Sequence, residues 1–257
     1  MRNDLTVMIP TSARFAMAPA SAELIAERAL QKRVDTKMVL DKSKLVDLVS
    51  TVSDDYAWVL SSERREARYK NVYFDTADYG CLRDHHRGRR PRYKVRIRHH
   101  VDRSMSFLEV KHRLSNDSTR KYRMELPFMK EDLGDEELSF IGEHLPTDAE
   151  SFQPSMWINF CRITLVGVKT PERVTFDSAL MFSTGAAGVE RWSHGVIVEV
   201  KQERFKPRTP IMLKLREARA YPTTLSKYCT GAQLLLPQVT MNRYRPRLRF
   251  LRRRFHD

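Results

Sequence analysis

Short runs in which apolar and charged residues alternate dominate this chain. The clearest are residues 92–101, 105–114, 119–128 and 158–168, and "RVDTKMVL", "RVTFDSAL" and "HGVIVEVKQE" show the same pattern. Alternate side chains of a β-strand point to opposite faces of the sheet. Each run therefore predicts a strand with one apolar and one charged face. "YAWVL" and "NVYFDT" predict two further strands.

Helical signals are fewer and lie between these strands. Ser21 is a predicted N-cap for "AELIAERALQ", and Asp41 caps a helix whose apolar stripe includes Leu45, Leu48 and Val52. "DYGCLRDHHRG" predicts a short helix that ends near Gly88, and further helices are predicted near 135–144, at 209–219 and after "TTLSKY". The strands follow one another without regular helical crossovers. The predicted fold class is α+β, an antiparallel sheet or barrel with helices packed outside.

The charged faces of the predicted strands carry mostly cations. In "RPRYKVRIRHH", Arg92, Lys94, Arg96 and Arg98 share one face, opposite Tyr93, Val95 and Ile97. An ordinary solvated sheet face is one interpretation of any single strand. However, the strands are numerous enough to close a barrel, whose interior would then collect the cations. Such an interior requires a polyanion to offset like-charge repulsion. The other strands place these residues on their charged faces: Glu109, Lys111, Arg113, Lys121, Arg123, Glu125, Arg162, Arg173, Asp177, Glu199 and Lys201.

Composition agrees with an anionic partner in a reducing compartment. The 257 residues carry a formal net charge of +14, and 41% are hydrophobic, enough for a substantial core. Cys81, Cys161 and Cys229 show no paired spacing, which favours free thiols. No apolar run approaches the ~18 residues that span a bilayer, and the N-terminus lacks the apolar segment of a signal peptide. We therefore expect a cytoplasmic protein.

Six motifs in order carry a family resemblance. The segments "KVRIRHH", "FLEVKHR", "TRKYRMEL", "RVTFDSAL", "VIVEVKQE" and "LSKYCTGAQLL" resemble the VTC domain, the polyphosphate polymerase domain of the vacuolar transporter chaperone complex. That domain belongs to the triphosphate tunnel metalloenzymes. The resemblance extends over roughly residues 33–236. It implies an antiparallel β-barrel tunnel whose basic lining binds ATP and a growing inorganic polyphosphate chain.

The resemblance also assigns roles to residues. It implies a metal-binding role for Glu199, toward Mn²⁺ or Mg²⁺, and Asp177 and Glu125 are further candidate acids whose alternative is an internal salt bridge. Lys227, at the start of a predicted helix, is a candidate to close over the phosphates. The expected catalytic cations are Arg96, Arg98, Lys111, Arg162 and Arg173, and the expected phosphate-binding lysines and arginine are Lys37, Lys121, Arg123, Lys201 and Lys227.

The first strand departs from the pattern of the hydrolytic tunnel enzymes. Those enzymes carry ExExK there, whereas this chain reads Arg33-Val34-Asp35-Thr36-Lys37. Loss of the first glutamate removes a metal ligand and disfavours a triphosphatase. Met38 also stands where the family usually has an aromatic residue.

Three functions remain open from the sequence. A polyphosphate polymerase is favoured, with an inorganic triphosphatase and a non-catalytic polyphosphate- or nucleic-acid-binding protein as alternatives. Specific nucleic-acid binding is not expected, because Tyr93 and Tyr122 lie opposite the cations. The expected organisation is an N-terminal leader and helix over 1–32, a tunnel domain over 33–240 and a basic tail over 241–257. The tail could hold the protein at the inner membrane face through a membrane protein or lipid surface.

Overall fold

The strands of this chain form one antiparallel sheet. In the computed structural model, the described residues are 17–30, 32–116, 118–145, 149–185, 188–239, 242, 245–246 and 249–251. Within them the sheet has ten strands. Residues 1–16 of the predicted leader and most of the basic tail lie outside the described residues.

The strands are β1 (Val34–Asp41), β2 (Tyr56–Trp58), β3 (Glu66–Asp75), β4 (Arg92–His100), β5 (Met105–Arg113), β6 (Thr119–Leu126), β7 (Gln153–Gly167), β8 (Glu172–Ser183), β9 (Val189–Trp192) and β10 (Gly195–Gln202). The helices are α1 (Ala22–Glu27), α2 (Leu45–Ser50), α3 (Gly80–Arg87), α4 (Asp135–His144), α5 (Pro210–Glu217) and α6 (Lys227–Leu235). Short 3₁₀ segments occupy Lys42–Lys44, Val101–Arg103 and Ala149–Ser151. The main path of the sheet runs β1-β10-β8-β7-β3-β4-β5-β6. Strand β2 pairs with β7, and β9 pairs with β8.

The predicted α+β class and antiparallel pairing are confirmed. The Ser21 side chain accepts a hydrogen bond from Leu24 N, as its predicted capping role requires, but α1 already ends at Glu27. Asp41 caps the 3₁₀ segment that leads into α2, because its carboxylate accepts from Ser43 N at 3.0 Å. Three stretches of strand were missed: β9, the first half of β3 and residues 153–157 of β7. Their strand conformation comes from pairing with neighbours.

Apolar residues fill the outer side of the sheet, beneath the helices. Val95 and Ile97 of β4 are fully buried and pack in one cluster with Ile141 of α4. Helices α2 and α5 contribute Leu45 and Ile211 to a second cluster over β1, β8 and β10. Burial of these faces against helices leaves the alternating charged residues to face the concave side.

The sheet curls into a barrel with one open seam. Among the described strands, β1 and β6 are the two ends of the path and do not pair with each other. Their side chains still meet across the interior, because Asp35 and Lys121 line the same cavity. The predicted tunnel with external helices is therefore confirmed, with a gap in its backbone hydrogen bonding.

Helix α6 closes one end of the barrel. Val39 and Ile197 are buried in the same cluster as Tyr228 and Ala232 of this helix. Gly231 allows the close approach, because a Cβ at this position would lie 2.4 Å from the Met156 sulfur and 2.7 Å from Phe182 Cδ1. The third cluster thus joins α6 to β7 and β8.

We predict that Gly231→Val lowers the free energy of unfolding by about 2–3 kcal/mol, because the added carbons overpack a buried contact. Urea denaturation monitored by circular dichroism measures the change. Gly188→Val is the matched control, since a Cβ at Gly188 meets no atom within 4 Å. Equal stability of the two variants would contradict the tight packing of α6.

Candidate functional site: a cationic tunnel

The charged faces of the strands converge on one cavity of about 520 Å³. Eleven lysines and arginines and three carboxylates line it among the described residues. This excess of positive charge in a confined space requires anionic ligands or counterions. The cations are Arg33, Lys37, Lys94, Arg96, Arg98, Lys111, Lys121, Arg123, Arg162, Lys201 and Lys227, and the carboxylates are Asp35, Glu109 and Glu199.

Arg96 is fixed by a carboxylate on the neighbouring strand. Its Nη2 lies 2.5 Å from Glu109 Oε2, and its Nη1 donates to the Tyr73 hydroxyl at 3.0 Å. Burial opposes the charged form of Glu109, but Arg96 and Arg98 outweigh burial and lower its pKa to about 2. Arg98 donates to Asn71 Oδ1 at 2.9 Å. Both guanidinium groups are thus held in defined orientations before a ligand arrives.

A second buried carboxylate holds two cations from different elements. Asp177 of β8 accepts from Arg162 Nε at 2.5 Å and Nη2 at 2.8 Å. Its other partner is Lys227, whose Nζ lies 2.5 Å from Oδ2. Although burial opposes ionisation, these two cations lower the pKa of Asp177 to about 2. Asp177 therefore forms an internal salt bridge and ties the first residue of α6 to the tunnel wall.

Glu199 lies on β10, next to β8, in a group with Lys201 and with Asp35 of β1. Lys201 Nζ lies 2.6 Å from Glu199 Oε2 and 3.7 Å from Asp35 Oδ2. Lys201 and Lys37 hold the pKa of Glu199 well below its usual range, against the opposing effect of burial. Glu199 is therefore an ionised acid at neutral pH inside a cationic cavity.

Lys94 and Lys111 are neighbouring tunnel lysines whose positive charges repel each other. They are directly opposite each other in the pairing of β4 with β5. The Lys94 amine contacts neutral groups, Ser226 Oγ at 3.0 Å and His85 Nε2 at 3.3 Å. Burial and neighbouring cations lower the pKa of each lysine to about 7. Both amines therefore titrate near neutral pH.

Aromatic rings also face the tunnel, which the sequence interpretation missed. Phe160 lies under both Arg162, at 5.3 Å from the guanidinium carbon to the ring centroid, and Lys227, at 4.6 Å from Nζ. Arg123 lies 4.2 Å above the Phe107 ring. These rings stack beneath cations and support them. Tyr122 packs outside the barrel as predicted, stacked on His144 of α4 at 3.8 Å.

A buried network fixes the position of α6. Asp75, at the end of β3, accepts from the Tyr228 hydroxyl at 2.8 Å and from the backbone N–H groups of Cys81 and Leu82 at 2.9 Å. The Tyr228 ring stacks on Tyr73, with centroids 4.9 Å apart. One carboxylate thus joins β3, the start of α3 and α6, and so controls where Lys227 and Ser226 lie.

Ten of the eleven predicted site residues line the cavity, and their roles there remain predictions. Arg173 does not line it, although it shares the parity of the others; its Cα pairs with Lys201 and Val166. Glu125 is exposed rather than inside the tunnel. The tunnel residues missed include Lys94. It is two residues from Arg96 on the same strand, so the alternation of charged residues could have identified it. The position of Tyr73 gave no such signal, because its strand lacks charge alternation.

Comparison with known proteins identifies the family. The VTC domain model matches residues 32–236. The chain belongs to the VTC domain family. The resemblance to this family expected from the motifs is confirmed. No curated protein matches the chain.

Three solved structures are similar to this chain at low sequence identity. HpAC1 of Hippeastrum, an adenylyl cyclase candidate with dominant triphosphatase activity, is 16% identical with a TM-score of 0.47, covering 80% of this chain and 98% of its own. The adenylate cyclase candidate BH2851 of Bacillus halodurans is 12% identical with a TM-score of 0.49, covering 76% and 94%. PH1819 of Pyrococcus horikoshii is 13% identical with a TM-score of 0.42, covering 76% and 96%.

The acids of this VTC domain fit a metal ion that is shared with substrate. Mg²⁺ and Mn²⁺ are bound through one or two carboxylates together with phosphate oxygens. Glu199 is ionised, and Asp35 lies on the same wall beside Lys201. Among the described residues, no cluster of three or more acidic, histidine or cysteine side chains could form an all-protein metal site.

No helix in the described part of the chain is long and apolar enough to cross a bilayer.

We predict that tripolyphosphate binding at pH 8 takes up protons. In the free protein the pKa of Lys94 and of Lys111 is about 7, so both amines are largely neutral at pH 8. A bound polyanion favours their charged forms and raises both pKa values. Affinity should therefore weaken as pH rises through 7–9. Calorimetry in buffers of different ionisation enthalpy measures the proton uptake.

The control for this measurement is Lys94→Arg/Lys111→Arg, since arginine stays charged throughout this range. It should bind with much less proton uptake and a flatter pH dependence. Proton uptake of equal size in the control would place the titrating group elsewhere, including on the ligand.

Proposed function

We propose that this protein is a polyphosphate polymerase that transfers the γ-phosphate of ATP to the end of an inorganic polyphosphate chain. The observation that supports it most directly is the continuous cationic lining of the tunnel, formed by lysines and arginines from both walls and from α6. A chain of phosphates carries negative charge along its whole length, so it matches a long cationic channel better than a compact anion does.

The proposed reaction needs positioning and charge stabilisation rather than a protein nucleophile. A terminal phosphate oxygen of the chain, already anionic at neutral pH, forms a bond to the γ-phosphorus of ATP. The bond between that phosphorus and the β,γ-bridging oxygen breaks, and ADP leaves. No proton has to be removed from the acceptor, which agrees with a site rich in cations and poor in candidate bases.

The arginines suit this task because they are oriented in advance. Glu109 holds Arg96, and Asp177 holds Arg162, while each guanidinium retains N–H groups for phosphate. Donors that are already fixed where charge develops stabilise a transition state without further reorganisation. Lysines such as Lys37 and Lys111 supply mobile charges along the remaining length of the chain.

Glu199, with Asp35 as its neighbour, would hold the Mn²⁺ or Mg²⁺ ion against the phosphates. When bound, the ion would neutralise phosphate charge and align the transferred group. In the structure Lys201 neutralises Glu199, with its Nζ 2.6 Å from Glu199 Oε2. Exchange of Lys201 for a metal ion would release that amine toward the phosphates.

An inorganic triphosphatase is the second candidate. The basic, metal-compatible tunnel would also accept a triphosphate, but Arg33 occupies the position of the first glutamate in the hydrolytic motif. Arg33 lines the cavity, and its Nε lies 3.0 Å from Asp35 Oδ1. A cation there favours binding of a further phosphate over activation of water.

Product analysis separates the two candidates. The purified protein is incubated with ATP, Mn²⁺ and a short polyphosphate primer. A polymerase yields ADP and an equal amount of phosphate in longer chains, whereas a triphosphatase yields free inorganic phosphate. Free phosphate without chain growth would overturn the proposal.

A location at the inner membrane face and a role for the basic tail remain predictions.

We predict that Arg162→Ala weakens metal-free tripolyphosphate binding about a hundredfold. Charge-assisted hydrogen bonds are worth about 1.5–3 kcal/mol, and the variant also leaves Asp177 with less compensation inside the tunnel. The double variant Arg162→Ala/Asp177→Asn removes that excess negative charge, and should recover part of the affinity. Isothermal titration at fixed salt compares the three proteins. Wild-type affinity in the single variant, or a double variant weaker than the single one, would argue against these roles.

We predict that Glu199→Gln separates binding from metal-dependent synthesis. The variant keeps the side-chain size, removes the anionic ligand and frees Lys201, so metal-free polyphosphate affinity should be unchanged or higher. Synthesis with Mn²⁺ should fall about a hundredfold or more. Glu203→Gln, at an exposed position after β10, serves as control and should keep both properties. Full synthetic activity in Glu199→Gln would refute the metal assignment.

A further inference from the structure

A smaller cavity of about 80 Å³ lies at the end of the barrel that α6 closes. We call it the side port; it is lined by His85, Arg92, Tyr93, Lys94, Lys111 and Arg113. Lys94 and Lys111 line both the side port and the main tunnel. The two spaces are therefore neighbours that share the same two lysines as a common wall.

A ladder of cations leads from the tunnel into the side port. In the pairing of β4 with β5, Lys94 is opposite Lys111, and the next pair outward is Arg92 opposite Arg113. Residues two apart on one strand are separated by roughly 6.6–6.8 Å and point to the same face. A linear anion could therefore pass from one cationic pair to the next without crossing an apolar barrier.

Cations dominate the lining of the side port. Four of its six described lining residues are Arg92, Lys94, Lys111 and Arg113. His85, at the junction, adds no positive charge, because burial and the neighbouring Lys94 and Arg92 lower its pKa to about 2. Its neutral ring instead contacts the Lys94 amine at 3.3 Å. A cationic lining of this kind fits an anion.

We propose that the side port is a second phosphate-binding subsite, through which the end of a polyphosphate chain leaves the barrel beside α3. The inference rests on the proposed function and adds a direction to it. The chain would emerge between His85 of α3 and the Arg92–Arg113 pair. A triphosphate has only three phosphates to share between the tunnel cations and this pair, so a long chain depends on the pair more strongly.

Ligand length provides the test. Binding of long-chain polyphosphate and of tripolyphosphate is measured without metal or ATP, in the wild type and in Arg92→Ala/Arg113→Ala. The control is Lys214→Ala/Arg216→Ala, which removes the same charge from α5, a helix that lines neither cavity. The port variant should lose about tenfold or more in long-chain affinity, with tripolyphosphate affinity changed less than about twofold. The control should change both ligands little.

Unchanged tripolyphosphate affinity shows that the port variant is folded, so loss of long-chain binding alone supports the proposal. Arg92→Lys/Arg113→Lys, which keeps the charges, should restore most of the long-chain affinity. The proposal is overturned if long-chain affinity falls no more than in the control, or if both ligands weaken equally. It is also overturned if the wild type binds long chains no more tightly than tripolyphosphate.

This binding test is independent of turnover. If the wild type makes no polyphosphate but the port variant still loses long-chain affinity, the side port stands and the polymerase proposal fails. If the wild type is a polymerase, Arg92→Ala/Arg113→Ala should also shorten the products made from a short primer, whereas Lys214→Ala/Arg216→Ala should leave their length unchanged. Products of unchanged length would show that the chain leaves elsewhere.

Discussion

Mutual repulsion of cations within the barrel is the constraint on which the rest of this structure depends. Within the described part of the chain, eleven basic side chains share a cavity of about 520 Å³, so each positive charge raises the electrostatic free energy of the others. The structure responds in two ways. It inserts Glu109, Asp177 and Glu199 between some of the cations, and it lets burial and repulsion lower the pKa of Lys94 and Lys111 to about 7. The ligand-free tunnel thus carries less charge than its composition suggests.

The two faces of the sheet are arranged in reverse of the usual order. Most half-buried sheets turn their polar face to water and their apolar face to the core. Here the apolar faces of the strands are covered by external helices, so the polar faces enclose the interior. Helix α6 does more than cover a face, because Lys227, at its start, reaches Asp177, while Gly231 lets it pack closely on β7 and β8. Fold stability and site geometry therefore depend on the same helix.

Alternation of residue types was enough to predict the strands and the inward cations, because a period of two fixes which side chains share a face. Arg96, Arg98, Lys111 and Arg162 were identified in this way and by family resemblance. The pattern could not decide where along the barrel each strand lies. Arg173 has the right parity but does not line the cavity. Tyr73 and Phe160 were missed because apolar rings on an inner face look like ordinary core residues.

The open seam between β1 and β6 has a consequence for the behaviour of the protein in solution. Unpaired strand edges are templates for association with other chains, and proteins commonly protect them with charged side chains. Strand β6 is such an edge, and its sequence, "TRKYRMEL", places Arg120, Lys121 and Arg123 along it, all exposed. The cations that serve the tunnel from this strand thus also act as gatekeepers against edge-to-edge aggregation. Neutralising several of them at once should reduce solubility as well as phosphate binding, even if the barrel remains folded.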